Sequence, residues 1–325
     1  MKRNSFFSLQ NSNNFENKAI EIFRFQAENC TVYKEFLNHL KLNINDVKSI
    51  NQIPFLPIQF FKSHKVIASN LPIQQVFLSS GTAGNTQSKH HIIDINLYKK
   101  SYSKGFDCFY GNVEDYTVLA LLPSYLERDG SSLIYMVNDL IRKSKKPNSG
   151  FYLNNLDELR ENLIELDKNN EKVLLVGVSY ALLDLVEKFN FNLKNIIIME
   201  TGGMKGRRKE LIREELHQVL CKGFGIKKIH SEYGMTELLS QAYSKGDGIF
   251  KCPLWMKVLI RDTEDALTML PEGKSGGINV IDLANINSCS FIATQDLGKT
   301  YSNGTFEVLG RFDNSDIRGC NLMVF

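Results

Sequence analysis

Between residues 118 and 219 the sequence alternates short apolar runs with longer amphipathic stretches, and this pattern limits the possible folds more than any other feature. The apolar runs predict strands, and the stretches between them place apolar residues at helical spacing. The predicted strands are 118–122, 173–176 and 196–199, and the predicted helices are 131–143, 156–167, 181–189 and 209–219. Strands that are apolar on both faces and joined by helices are typical of a parallel sheet covered on both sides. The sequence therefore predicts an α/β fold.

The segments on either side of this region have a different character. Helical periodicity from about residue 15 to 42 is followed by the extended, proline-containing stretch 53–57. After about residue 246 short strands alternate with turns, and the predicted strands are 256–261, 277–282, 291–294 and 306–309. We expect a single domain with a helical amino-terminal part (1–75), an α/β body (76–245) and a β-rich carboxyl-terminal subdomain (246–325).

Charge and cysteine usage limit the partners of the chain. Of the 325 residues, 39 are Lys or Arg and 36 are Asp or Glu, and a net charge of +3 gives no reason to expect a nucleic-acid partner. None of the six cysteines forms a C-x-x-C pair, which disfavours a zinc ribbon or thioredoxin chemistry. No apolar run is long enough for a signal peptide or a membrane span. We therefore expect a cytoplasmic protein with no membrane span.

The loop that begins at residue 79, after a predicted strand at 76–78, is the strongest local candidate for ligand binding. Small residues let backbone N–H groups approach an anion, hydroxyls add donors, and a lysine adds charge. The candidate phosphate-binding residues are Ser79, Ser80, Gly81, Thr82, Gly84 and Lys89. Because no Gly-Lys-Ser/Thr follows, this is not a Walker A loop. A plain hairpin turn stays open as an alternative.

Glycines and cations follow the predicted strand 196–199. Gly202 and Gly203 come first, and the candidate cations after them are Lys205, Arg207 and Arg208. Such a stretch at the start of a helix suits a nucleotide or its phosphates. A solvated basic turn is the alternative.

The stretch 231–237 combines an aromatic ring, a hydroxyl and carboxylates in one turn. Tyr233 could stack on a base, Thr236 could donate to a phosphate, and Glu237 could hold Mg²⁺ through oxygen ligands. In isolation, a stretch this short also arises by chance.

Two histidines and one serine suggest other catalytic functions, for which the sequence gives weaker support. His90 and His91 precede Asp94 in a pattern one residue shorter than an acyltransferase histidine motif. Neighbours in a strand face opposite sides, so a strand with one polar face is favoured there. Ser179 follows a strand as a hydrolase nucleophile does. The last histidine, His230, nevertheless lies before the place that a Ser–Asp–His order requires.

Taken in order, these stretches resemble the motifs of the adenylate-forming superfamily of acyl- and aryl-CoA ligases. Residues 79–89 look like its phosphate loop, and 233–237 closely match its Tyr-Gly-x-Thr-Glu core. Residues 296–298 (Asp-Leu-Gly) look like its ribose-binding motif, and 310–313 (Gly-Arg-Phe-Asp) look like its hinge motif. The resemblance runs from about residue 50 to the end. It implies the large amino-terminal type of domain in these enzymes, with layered parallel sheets and helices.

The resemblance also implies ATP and Mg²⁺ as cofactors. Its nucleotide-pocket residues would be Gly202, Gly203, Tyr233, Gly234, Asp296 and Arg311. Tyr233 would stack on adenine, and Asp296 with Arg311 would hold the ribose. Thr82 and Thr236 would contact phosphates, and Glu237 would bind Mg²⁺.

The end of the chain is similar to one subfamily, the LuxE-type acyl-protein synthetases. The superfamily continues past the hinge into a small mobile domain with a catalytic lysine, whereas this chain ends at Phe325. Further similarities lie at 53–57 leading to 60–62, at 253–255 and at 318–322. In that family a cysteine in a Gly-Cys setting near the carboxyl terminus accepts the acyl group as a thioester, and Cys320 matches it.

The LuxE resemblance implies an enzyme that activates a carboxylic acid, in that family a fatty acid, as an acyl-adenylate and transfers the acyl group to Cys320. Arg311 and Arg318 would favour the thiolate. A reductase or an acyltransferase would receive the thioester. The cations that could replace the missing lysine are Lys89, Lys205, Arg207 and Arg208. The alternatives are a CoA-ligase-like core that uses a lid from another chain, and a nucleotide-binding pseudoenzyme or scaffold.

Overall fold

The computed structural model describes residues 5–9, 12–80, 86–123, 130–202 and 211–312. The α-helices within them are α1 (Ser12–Asn29), α2 (Thr31–His39), α3 (Phe60–Ser63), α4 (Ile95–Tyr110), α5 (Ser132–Ser144), α6 (Leu156–Lys168), α7 (Ser179–Lys188) and α8 (Arg213–Phe224). The strands are β1 (Leu56–Pro57), β2 (Gln75–Leu78), β3 (Lys89–Ile92), β4 (Thr117–Leu121), β5 (Gly150–Phe151), β6 (Val173–Val178), β7 (Ile196–Thr201), β8 (His230–Tyr233), β9 (Ala242–Ser244), β10 (Ile249–Lys251), β11 (Met256–Arg261), β12 (Ser275–Asp282), β13 (Phe291–Thr300) and β14 (Phe306–Arg311).

Most strands of the described chain belong to one mixed sheet of 12 strands, and β2 and β3 form a separate hairpin. The order along the sheet is β11-β12-β13-β14-β10-β9-β8-β7-β6-β4-β5, and β1 pairs with β13 beside this path. β5, β4, β6, β7 and β8 are parallel, and β9 begins the antiparallel part. The predicted α/β fold class is therefore confirmed. The strands from β9 to β14 continue the sheet beyond β8, so the carboxyl-terminal part of the chain shares one sheet with the parallel strands.

The predicted strands and helices form for the reasons that the sequence indicates. Every residue of β6 is buried, as expected of a central parallel strand. α6 begins after Asn155, whose side chain accepts a hydrogen bond from the Glu158 amide, and it buries Leu159 and Leu163 on one face. None of the described helices has both the length and the apolar character that crossing a membrane requires.

α4 is a helix that the apolar pattern does not indicate. Its buried face consists mainly of aromatic residues at four-residue spacing, Tyr98, Tyr102 and Phe106. Lysines and serines interrupt the apolar periodicity between them. The Asp94 side chain caps the helix by accepting hydrogen bonds from the amides of Asn96 and Leu97.

α8 begins at Arg213, so the predicted start at residue 209 is wrong. Ile212 is extended, with φ −65° and ψ 151°, and therefore lies outside the helix. Glu214 and Glu215 occupy the first turn, where carboxylates favour a helix start. The glycines and cations at 202–208 thus do not lead directly into α8.

The sheet curls so that distant strands meet. β8 and β13 are four strand spacings apart in the sheet order, which amounts to about 19 Å in a flat sheet. Yet the Tyr233 hydroxyl of β8 lies 2.8 Å from the Asp296 carboxylate of β13. Phe250 of β10 and Phe306 of β14 fill the space inside the curl, with ring centroids 6.0 and 5.6 Å from that of Tyr233.

The amino-terminal helices pack against the same carboxyl-terminal strands. Phe23 of α1 and Tyr33 of α2 both contact the ring of Phe291 in β13. Gln26 of α1 is fully buried, and its amide nitrogen donates to the carbonyls of Asn285 and Ile286. The helical part thus holds the segment that connects β12 to β13.

We expect Gln26→Leu to destabilise the protein, because it leaves buried carbonyls without donors. The loss should be about 2–4 kcal/mol in the free energy of unfolding. Urea unfolding checks this, with Glu28→Gln as a control at an exposed position of the same helix, where a change within about 0.5 kcal/mol is expected. Equal midpoints for the two variants would contradict this role of Gln26.

Candidate functional site

The candidate site lies where the parallel strands end. In open α/β sheets, ligands bind in the crevice at the carboxyl ends of the strands. β7 ends at Thr201, which pairs with Glu232 near the end of β8. Gly202 follows Thr201 and is exposed with φ +66°, a conformation that favours glycine. These strand ends therefore present backbone and polar side chains together.

Three expected nucleotide-pocket residues come together through one carboxylate. The Tyr233 hydroxyl donates to Asp296 Oδ2 at 2.8 Å, and Arg311 Nε donates to Asp296 Oδ1 at 3.2 Å. Asp296 and Arg311 are register partners on β13 and β14. Burial, together with the charge of Asp296, raises the pKa of Tyr233 well above its usual value, so the phenol stays a neutral donor. These contacts fix the orientation of the Asp296 carboxylate.

Glu237 is a buried carboxyl beside the hairpin of β2 and β3. Burial raises its pKa, and this is opposed by a hydrogen bond from the Ser88 hydroxyl and by the charges of Arg311 and Lys62. A carboxyl that is costly to ionise gains from a bound cation. No group of three or more His, Cys, Asp or Glu side chains in the described ranges could hold a metal by itself. Glu237 nevertheless fits Mg²⁺, which often takes only one or two carboxylates and completes its shell with phosphates and water.

β2 and β3 form a hairpin on either side of the loop that begins at residue 79. Leu78 and Lys89 are register partners, and the Ser88 amide donates to Ser79 Oγ at 2.9 Å, which closes the loop at its base. Ser79 is half-buried, whereas Ser80 and Lys89 are exposed. The predicted residues Gly81, Thr82 and Gly84 lie outside the described residues, and phosphate binding stays a prediction.

Several other expected residues also fall outside the described ranges. They are Gly203, Lys205, Arg207, Arg208, Arg318 and Cys320. Gly234 follows Tyr233 directly and is half-buried.

Ser179 does not have the surroundings of a hydrolase nucleophile. Its hydroxyl donates to the Gly202 carbonyl at 2.7 Å and lies 3.4 Å from Glu200 Oε2. Among the described contacts of its hydroxyl there is no histidine, which a nucleophile elbow needs as its base. The serine instead ties the start of α7 to the end of β7.

Two carboxyls that the motif analysis did not single out lie at the same strand ends. The first is Glu200, whose Oε1 lies 3.5 Å from Arg213 Nε and 3.7 Å from His217 Nε2. Burial favours its neutral form, but these partners outweigh burial and lower the pKa of Glu200. The sequence signal is a charged residue directly after the apolar run 196–199 of β7.

Glu232 has the opposite environment. Thr201 donates to its carboxylate, and no cation in the described chain is paired with it. Burial, with the nearby charge of Glu200, raises the pKa of Glu232 to about 7 despite that hydrogen bond. The sequence signal is its position, directly before Tyr233.

Solved structures with a similar fold are adenylate-forming ligases. An open conformation of 2-hydroxyisobutyryl-CoA ligase in complex with 2-HIB-AMP and CoA has a TM-score of 0.69 at 13% identity, covering 93% of this chain and 70% of the ligase. ATP-bound MatB from Rhodopseudomonas palustris has a TM-score of 0.55 at 18% identity, covering 74% of this chain and 48% of MatB. The matched part thus spans about half the length of MatB. The fold is that of adenylate-forming ligases.

Comparison of the sequence with protein-family models identifies the family within this class of ligases. The family model described as acyl-protein synthetase, LuxE, matches residues 147–325, which is more than half of the chain. The chain belongs to the LuxE acyl-protein synthetase family. No curated protein matches the chain. The matched range includes Tyr233, Glu237, Asp296, Arg311 and Cys320.

We expect Glu232→Gln to change how stability depends on pH. The folded pKa of about 7 lies above the usual 4.5, so the folded state holds an extra proton between these values, and wild-type stability falls as pH rises through this window. Gln keeps the acceptor for Thr201 but cannot ionise. Relative to the wild type, the variant should gain roughly 1–2 kcal/mol between pH 5 and pH 8. Chemical unfolding at both pH values measures this.

Glu165→Gln on the exposed face of α6 is the matched control, because its carboxylate is exposed and the change should be small at both pH values. A constant stability difference between Glu232→Gln and the wild type from pH 5 to pH 8 would contradict the raised pKa.

Proposed function

We propose that this protein is an ATP-dependent acid ligase that activates a carboxylic acid as an acyl-adenylate. The observation that carries the proposal is the contact of Tyr233 and Arg311 with Asp296, since three separate segments meet on one carboxylate at the strand ends. Membership of the LuxE family and the ligase fold support it. The ATP- and adenylate-bound states of the similar structures support ATP as a substrate.

The nucleoside would bind across the ends of β7 and β8. Tyr233 would stack on adenine, with Gly202, Gly203 and Gly234 leaving room for the base. The ribose hydroxyls would donate to the Asp296 carboxylate, which accepts hydrogen bonds readily and is held in place by Arg311. Because the curled sheet fixes Asp296 relative to Tyr233, base and ribose would be held in one relative orientation.

The phosphates would lie over the hairpin loop. Ser79, Ser80, Gly81, Thr82, Gly84 and Lys89 are the proposed donors, together with Thr236. Mg²⁺ bound at Glu237 would offset the charge that develops on the phosphates. A carboxylate oxygen of the acid would attack the α-phosphorus, the bond to the bridging oxygen would break, and pyrophosphate would leave with the electron pair.

The acceptor of the acyl group would be Cys320. Its thiolate would attack the acyl carbon, and AMP would leave with the electron pair. The described cysteines support this choice, since burial raises the pKa of Cys30, Cys252 and Cys289, and partial burial of the thiol raises that of Cys108 and Cys221. A thiol with a raised pKa is a poor nucleophile near neutral pH. A fatty acid as substrate, and a reductase or acyltransferase as recipient, follow from the LuxE resemblance.

We expect an ATP-dependent covalent adduct on Cys320. The protein is incubated with Mg·ATP and a panel of carboxylic acids without CoA, and its intact mass is recorded before and after hydroxylamine. The mass should rise by that of the acid less one water, and hydroxylamine should remove the adduct. Cys320→Ser should abolish it, while Cys108→Ser, at an exposed cysteine, should retain it.

Two results would contradict this assignment. Formation of AMP and pyrophosphate without an adduct, and transfer to CoA when CoA is added, would favour the CoA-ligase alternative. ATP binding without pyrophosphate release for every acid would favour the scaffold.

A further inference from the structure

His90 lies buried behind the segment that contains Thr236 and Glu237. Its Nδ1 is 2.8 Å from the Thr236 carbonyl oxygen, and its Nε2 is 3.0 Å from Asn285 Oδ1. The ring of Phe61 packs edge-on against the imidazole at 5.5 Å. Both ring nitrogens therefore face groups of the protein, and the side chain has no free edge for a substrate.

Asn285 completes the support of this segment. Its amide nitrogen donates to the Glu237 carbonyl at 2.8 Å. The backbone of Asn285 is itself fixed, because Gln26 donates to its carbonyl at 3.0 Å. The carbonyls of two consecutive residues, Thr236 and Glu237, are thus held by side chains from distant parts of the chain.

The same strand also connects this segment to the hairpin loop. Ser88 directly precedes β3, and its hydroxyl lowers the pKa of the Glu237 carboxyl, while His90 within β3 contacts the Thr236 carbonyl. Residues two apart in a strand share a face, and the residues between them face the other side. Lys89 is exposed accordingly, and His91 lies near the charges of Lys65 and Lys89.

We propose that His90, together with Asn285, is a positioning residue that orients Thr236 and Glu237 toward Mg·ATP and couples them to the hairpin of β2 and β3; this inference rests on the proposed function. The partners of His90 argue against the alternative of a catalytic base. Burial lowers the pKa of His90 to about 4, so the imidazole is neutral near pH 7 and carries a single N–H, which in the Nδ1-protonated tautomer donates to the Thr236 carbonyl. A positioning role predicts that replacing His90 weakens Mg·ATP binding, and that replacing His91 on the opposite face of β3 does not.

The effect of losing His90 follows from its two contacts. Without the imidazole the Thr236 carbonyl loses the donor that the described residues give it, and the turn can relax away from the geometry that Mg·ATP requires. Residues that orient a metal ligand typically change affinity 10- to 100-fold when they are replaced. Gln can donate from its amide nitrogen to the same carbonyl and should restore most of the affinity. Leu has a similar size and cannot donate.

The test is calorimetric titration of Mg·ATP into the full-length wild type, His90→Gln, His90→Leu and His91→Asn. We expect His90→Leu to weaken binding at least 10-fold. His90→Gln should stay within about 3-fold of the wild type, and His91→Asn, on the opposite face of the same strand, should be unchanged. The same titrations with ATP and EDTA should show a smaller difference between His90→Leu and the wild type, because Glu237 acts through the metal. Unfolding midpoints establish that each variant is folded.

The outcomes separate this inference from the proposed function. If the wild type binds Mg·ATP and folded His90→Leu binds equally well, the inference is wrong and the proposed function stands. The inference is also wrong if His90→Gln is as weak as His90→Leu. If the wild type does not bind ATP, the proposed function fails and this inference fails with it. Where His90→Leu does not fold, Asn285→Ser, which no longer reaches the Glu237 carbonyl, must weaken Mg·ATP binding at least 10-fold for the inference to hold.

Discussion

The hydrogen bond between Tyr233 and Asp296 joins the parallel and the antiparallel parts of the sheet. In a flat sheet these residues would be about 19 Å apart, which is beyond the reach of their side chains. The contact therefore requires the curl, and the buried rings of Phe250 and Phe306 fill its interior. Apolar burial stabilises the curl, and the curl in turn places a carboxylate beside an aromatic ring at the strand ends. The proposed nucleoside site depends on this closure.

Three carboxyls near the strand ends differ in ionisation because their neighbours differ. Glu200 has Arg213 and His217 and is held charged. Glu232 has a hydroxyl and a neighbouring carboxylate, and its pKa rises to about 7. Burial also raises the pKa of Glu237, and Ser88 with the charges of Arg311 and Lys62 opposes that shift. Neighbouring charges and hydrogen bonds, as well as burial, therefore set the ionisation of these three carboxyls.

The sequence predicts those parts of the fold that depend on local pattern. β6 and β7 are apolar runs, and α6 has clear helical spacing, so their existence follows from periodicity. The apolar pattern does not predict α4, because its buried face consists largely of tyrosines and the lysines and serines between them interrupt the apolar helical periodicity. The start of α8 is misplaced because the extended Ile212 separates the glycine-rich stretch from the helix.

The candidate site was predictable as a set of motifs, through their order and their resemblance to a known superfamily. Its geometry was not. The approach of Tyr233 to Asp296 depends on the curl of the whole sheet, and the contacts of His90 join residues 146 and 195 positions apart in the chain. The raised pKa of Glu232 does not follow from its place before Tyr233, because it depends on burial and on the nearby charge of Glu200. The Tyr233–Asp296 contact, the contacts of His90 and the pKa of Glu232 all depend on packing between residues that are distant in the sequence.

Formation of an acyl-adenylate at the site around Asp296 can be measured by the exchange of labelled pyrophosphate into ATP. We expect exchange that requires a carboxylic acid and Mg²⁺ but no CoA. The exchange should persist in Cys320→Ser, because adenylation precedes acyl transfer, and it should be lost in Asp296→Asn, in which the ribose site is altered. Exchange without any acid, or full exchange in Asp296→Asn, would contradict the account.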